Sequence, residues 1–408
     1  MTVEDVSLNQ PAGDPAIWPL DPGVVFLNHG SFGSCSQPVL DFQQQVRARM
    51  ERQPVQFFVR DLEGMLDVAR AALAEFVGAD ADDLVFVPNA TTGVNAVLRS
   101  LRFERGDELL VTDHEYNACR NALDFVAALW GARVTVATVP FPVASADDMA
   151  AAVMEHVTPQ TRLALLDHVT SQTGLVMPIA RLAGELAARG VETLVDGAHA
   201  PGMVPLRLRE IGAAYYTGNC HKWLCAPKGA GFLMVRRDRQ ALIRPAVISH
   251  GANTTRTDRS RFQIEFGWTG TCDPSAWLSV PESLRLVGSL LPGGWPEVMR
   301  RNRALTLAGR KVLCDALGIT PPCPDELIGS LASVPIPDST DTNAPASPLY
   351  ADPLQDQLRL RHRIEVPIIP WPAPPKRLLR ISAALYNSLP QYRLLAGALK
   401  NETNNPAR

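Results

Sequence analysis

The apolar positions of this chain form short runs separated by longer stretches with a helical period. Leu84-Val85-Phe86-Val87, Glu108 to Val111, Val134 to Val139, Leu163 to Leu166, Thr193 to Val195 and Gly231 to Val235 have the length and β-branched content of buried strands. Between them, apolar residues recur three and four apart. These stretches are about Pro38 to Arg52, Leu62 to Val77, the run from Gly93, Cys119 to Trp130, Ala146 to His156 and Ile179 to Arg189. Strands alternating with helices call for βαβ units and a mainly parallel sheet, so the expected fold class is α/β. An earlier apolar strand, Val24 to Leu27, runs into the Gly/Ser loop Asn28-His29-Gly30-Ser31-Phe32-Gly33-Ser34.

The pattern changes near residue 280. A long helix (Trp295 to Leu317) is followed by a strand (Ile328 to Ile336), a helix (Pro353 to Leu360), strands at Ile364 to Ile369 and Arg377 to Ser382, and a last helix over about Pro390 to Leu399. This predicts three parts: an extended, Pro-containing arm over 1–23, a large domain over 24–280 and a smaller C-terminal α+β domain over 281–408. A chain of 408 residues is also long for a single core. Residues 249–266, 337–348 and 367–375 read as irregular or loop, and the tail 401–408 as frayed.

Charge and cysteine usage remove several function classes. The net charge is −3 with no long basic run, which excludes nucleic acid and anionic membranes as expected partners. No apolar run reaches membrane-spanning length. The acidic start, MTVEDVSLNQPAGDP, lacks the apolar core of a signal peptide, so a cytoplasmic location is expected. Seven scattered cysteines with no CxxC pair argue against a disulfide framework or a zinc site.

Candidate chemistry lies in the loops. In a parallel sheet, ligands bind beyond the carboxyl ends of the strands. Thr91-Thr92-Gly93, His114-Glu115-Tyr116, His168 to Ser171 and Asp196 to His199 all follow strands, and should converge on one edge. Thr-Thr-Gly opening a helix suits a phosphate, because free N–H groups and the helix dipole face it; threonines also cap helices for structural reasons alone. Lys222 sits between His221 and Trp223, ahead of a Pro/Gly-rich turn. A lysine on a turn, following a carboxylate at the end of a buried strand, is what pyridoxal phosphate (PLP) requires. The aldehyde needs an amine for a Schiff base, and the pyridine nitrogen needs an anion.

Asp196-Gly197-Ala198-His199-Ala200-Pro201-Gly202, His221-Lys222-Trp223 and Arg380-Ile381-Ser382-Ala383 with Tyr386-Asn387 resemble the class V, fold-type-I PLP enzymes. Leu27 to Gly33 and Trp268-Thr269-Gly270-Thr271-Cys272-Asp273 fit the same group, which includes isopenicillin N epimerase and its relatives. The resemblance spans about residues 24 to 395. It implies a Schiff-base lysine at Lys222, a pyridinium partner at Asp196 and a residue beside the ring's phenolic oxygen at His199. Thr91, Thr92, Gly93, Asn219 and His221 would hold the phosphate, and Ser171 would also touch the cofactor. Thr271 would reach the phosphate of a second subunit, in a homodimer with shared active sites. Arg380 would clamp a substrate carboxylate, with Asn28 and His29 nearby. Tyr116 or His114 would stack on the ring face opposite Lys222 and act as the second acid/base.

The implied activity is epimerisation at the α-carbon of an amino acid or amino-acid-containing peptide. The alternative is a C–S lyase, with an aminotransferase or cysteine desulfurase behind it. Asn219 departs from the group, which carries a serine three residues before the lysine. No cysteine lies in Ile364 to Trp371, shortly before Arg380, where a desulfurase needs one.

Overall fold

The computed structural model describes residues 8–339 and 352–404. The first seven residues of the expected arm, most of the 337–348 loop and the end of the tail lie outside the described residues. Up to Asn404 the tail is helical, continuing the helix Leu389–Asn404.

The apolar runs assemble into one seven-stranded sheet. After a short strand β1 (Val25–Phe26) come β2 (Leu84–Val87), β3 (Glu108–Thr112), β4 (Arg133–Ala137), β5 (Thr161–Asp167), β6 (Glu192–Gly197), β7 (Tyr215–Asn219) and β8 (Gly231–Val235). Their order is β2-β8-β7-β6-β5-β3-β4, and only β8 runs antiparallel to its neighbours. Successive side chains leave opposite faces of a strand, so each apolar run feeds two cores. Leu110, Ala164, Leu166, Val195 and Tyr216 enter one, and Leu109, Val111, Leu163, Leu165, Leu194 and Tyr215 the other. Each large side chain buried this way contributes roughly 1.5–3 kcal/mol.

Two differences from the sequence expectations have simple causes. Strand β7 was not expected, because Thr217-Gly218-Asn219 is polar; its backbone nevertheless pairs on both sides, and Tyr215 and Tyr216 are fully buried. Within 249–266, the segment from Arg261 is helical rather than irregular. Ser260 accepts a hydrogen bond from the Gln263 N–H (3.2 Å), which caps the helix Arg261–Gly267, and Phe262 and Phe266 pack together in the core.

The C-terminal part contributes β9 (Leu331–Ile336), β10 (Ile364–Glu365), β11 (Ile368–Pro370) and β12 (Arg377–Ser382). The single strand expected over Ile364 to Ile369 is split at Val366-Pro367, where proline removes a ladder donor. β11, β12 and β9 form an antiparallel sheet that places Arg380 opposite Ser333. β1 pairs with β10, joining the two ends of the chain. The N-terminal arm docks on the same part. The Ala12 N–H donates to the Leu385 carbonyl (2.7 Å), Arg301 donates to the Gln10 carbonyl (2.7 Å), and Trp18 packs edge-on against Tyr386.

Candidate active site

The lysine loop follows β7 and is clamped by neighbouring backbone. Gly33 has φ of +69°, and a Cβ there would lie 2.0 Å from the His221 carbonyl oxygen. Gly202 (φ +84°) approaches Trp223 from another segment, where a Cβ would lie 2.7 Å from its carbonyl. His29 ties the loop further: Nε2–H donates to the Lys222 carbonyl (3.0 Å), and Nδ1 accepts from the Tyr386 hydroxyl (2.7 Å). Burial holds this ring neutral, its pKa pushed down to about 3. Gly33→Ala is expected to destabilise the protein by at least about 2 kcal/mol, from left-handed strain plus the clash. It should also lower cofactor occupancy; a thermal melt and an absorbance spectrum check both.

The Lys222 Nζ lies 2.9 Å from His199 Nε2. Desolvation lowers the amine to about 8, against the opposing pull of Asp196. Burial and the Lys222 charge hold His199 well below its ordinary value, so it is neutral, with Nε2 accepting and Nδ1 carrying the proton. That Nδ1 is buried without a partner. Asp196, at the end of β6, accepts from the Ala198 N–H (2.9 Å) and from the Cys119 thiol (3.0 Å).

The helix Ala90–Ser100 starts at the same sheet edge. Asn89 caps it by accepting from the Thr92 N–H (2.9 Å), and Asn219 accepts from the Ala90 N–H (2.8 Å). Asn219 therefore spends its side-chain carbonyl on the helix end, which leaves its amide N–H groups able to donate elsewhere. Gly93 lets this helix approach β7: a Cβ there would lie 2.2 Å from the Thr217 hydroxyl. Thr91 and Thr92 are half-buried at this end. His221 donates weakly to the Ala230 carbonyl (3.3 Å), and burial pushes it down to about 4. Thr271 is exposed and makes no hydrogen bond to these groups among the described residues.

Arg380 enters from β12 and is 4% exposed. It donates to the Ser171 carbonyl (2.6 Å) and hydroxyl (3.3 Å), to the Ser31 hydroxyl (2.8 Å) and, at 3.5 Å, to the Asn28 side-chain oxygen. Every acceptor is neutral, and Nε has no partner. Burial pulls the guanidinium down to about 10, with Tyr116 pulling the other way. Tyr116, 39% exposed, precedes the helix Asn117–Trp130, and burial raises its phenol pKa, with Cys119 and Asp196 adding to the rise. His114 does not share that access. It is fully buried, with one ring nitrogen bonded to Thr173 (2.7 Å) and the other to the Val139 carbonyl (2.9 Å), and it packs against Trp371. Both its nitrogens are spent on holding the loop.

Sequence reasoning did not single out Ser31, Cys119, Glu115 or Asp167. Asp167 had a usable signal: it ends β5 as Asp196 ends β6, and the two are register partners. Cys119 and Ser31 carried none, since each acts through a contact distant in sequence.

These residues suit PLP. They offer a buried amine with a depressed pKa, an anion at a strand end, a capped helix N-terminus, and unpaired polar atoms at His199 and Arg380. The comparisons agree. The chain is 37% identical over 395 residues to isopenicillin N epimerase of Amycolatopsis lactamdurans, covering 93% of this chain and 96% of that protein. It is 34% identical over 363 residues to putative L-cysteine desulfhydrase 1 of Oryza sativa subsp. japonica, covering 85% of this chain and 73% of that one. In fold it is similar to a mutant of the cystine C–S lyase C-DES with glycine covalently linked to its PLP cofactor, with a TM-score of 0.77 at 22% identity over 95% of this chain and 98% of that one. The family model for aminotransferase class-V matches residues 37–313, and the chain belongs to that family of PLP-dependent enzymes.

Proposed function

We propose that this enzyme inverts an amino-acid α-carbon, as an epimerase of the isopenicillin N type. The observation that carries substrate binding is the unmatched Arg380. A buried guanidinium meeting only neutral oxygens is incomplete until an anion arrives, and a substrate carboxylate supplies it in bidentate form. PLP, when bound, supplies an electron sink for the α-carbon. Lys222 Nζ holds the cofactor and moves the proton at that carbon, its low pKa suiting it to both tasks. His199 holds the amine in place. Inversion needs a second acid/base, and Tyr116 is a phenol within the electrostatic reach of both Asp196 and Arg380. Thr91, Thr92, Asn219 and His221 are assigned to the phosphate, and Thr271 to that of a partner subunit in a homodimer.

A C–S lyase is the second reading, favoured by the desulfhydrase relatives. β-Elimination needs no nucleophilic cysteine, and none precedes Arg380 between Ile364 and Trp371. Incubation in D2O separates the two. Deuterium at Cα with both epimers of isopenicillin N recovered is expected. Pyruvate and sulfide from L-cysteine, with no deuterated epimer, would replace the epimerase reading by the lyase.

A further inference from the structure

Asp196 does not stand alone at its strand end. Asp167 is its register partner on the adjacent parallel strand, so both side chains leave the same face of the sheet. Glu115 enters from the loop after β3, and Cys119 from the first turn of the helix Asn117–Trp130. The ligating atoms of Glu115, Cys119 and Asp196 lie within 4.8 Å of one another. All four residues are at most 5% exposed.

Three buried carboxyls that act on one another cannot all ionise; mutual repulsion and desolvation oppose each further charge. Among the described residues the cations that reach them are few: Lys222 acts on Asp196 and Asp167, and Arg120 on Glu115. Hydrogen bonds decide which acid keeps the charge. Asp196 has two donors, the Ala198 N–H and the Cys119 thiol. Asp167 Oδ2 and Glu115 Oε2 are buried with none. Glu115 Oε1 has only the N–H of Tyr116, at 3.2 Å. A carboxylate needs donors, whereas a carboxylic acid brings its own proton.

We propose that Cys119 is a positioning residue that makes Asp196 the one ionised member of this group, with Glu115 and Asp167 retaining their protons. The inference rests on the reading that Asp196 faces the cofactor's pyridine nitrogen, and adds how that anion is selected. Burial and mutual repulsion push Glu115 and Asp167 well above the usual carboxylate range. They also push Cys119 up, so it remains a thiol and a donor.

Two measurements test this. Infrared spectra of the apoprotein at neutral pH should show the carbonyl stretch of buried protonated carboxyls, reduced in Glu115→Gln and again in Asp167→Asn. If neither substitution reduces that band, the assignment fails. In the holoenzyme, Cys119→Ala should raise the pH midpoint of the cofactor's visible absorbance by about one unit, the size of one hydrogen bond to a charged group. The sign follows because a ring nitrogen that holds its proton less firmly leaves the tethering nitrogen more basic. Cys119→Ser, which keeps a donor, should restore the midpoint; an unchanged midpoint in Cys119→Ala overturns the role of the thiol. The infrared arm needs no cofactor, so failure of the carboxyl group and failure of the cofactor reading are told apart.

Discussion

Lys222→Met is expected to abolish the visible absorbance of bound cofactor and to lower turnover by roughly four orders of magnitude or more, as loss of a covalent nucleophile does. The fold should survive, because the loop is held by backbone contacts to Gly33, Gly202 and Ala230 and by His29, none of which uses the amine. Stability should move in the opposite direction to activity. The amine sits at about 8 in the folded protein against 10.5 in the unfolded chain. Between those values the unfolded state binds a proton that the folded state lacks, so wild-type stability rises with pH through that window. Below about pH 8 the buried ammonium carries its full penalty, at most about 3 kcal/mol. The apoprotein of Lys222→Met should therefore match or exceed the wild type in denaturant midpoint at neutral pH, with the difference shrinking toward pH 10. A variant that keeps the visible band would remove Lys222 from the reaction.

Arg380→Gln is the second large effect. It should lower kcat/KM by about a hundredfold to a thousandfold, the range for removing one partner of a buried charge pair, and mainly through KM. Arg380→Lys should not rescue it. A single ammonium cannot reproduce the fork that reaches Ser171 and Ser31 while leaving room for a bidentate carboxylate. Apoprotein stability should be nearly unchanged or improved, because the guanidinium gives up only neutral acceptors and a buried, unpartnered Nε. Steady-state kinetics with a denaturant melt separates this from a packing role, which would lower stability and leave KM alone.

Much of the sheet was legible in the sequence because its strands are buried on both faces. Leu84–Val87 and Gly231–Val235, and Leu109-Leu110-Val111 within β3, are continuous runs without a polar side chain and with little to mimic them. β7 escaped because its register carries Thr217, Gly218 and Asn219, each chosen for a contact rather than for strand propensity. Of the candidate site, the lysine, the strand-end aspartate and the arginine were readable as residue types in a pattern. The pairing of Cys119 with Asp196 and of Ser31 with Arg380 was not, since each joins segments separated by 77 and 349 positions. The resemblance also placed His29 and His114 among the chemical groups, whereas the folded rings spend both nitrogens on neighbouring backbone and side chains.

The pairing of β1 with β10 bears on how the protein tolerates fusion and trimming. His29 grips the Lys222 carbonyl from a segment whose anchorage, through β1 and Tyr386, belongs to the far end of the polypeptide. A ribosome makes those residues well after the lysine loop. The lysine loop therefore acquires its final brace only after Ile364 to Tyr386 have been made, and a chain cut short before Ile364 would present Lys222 without it.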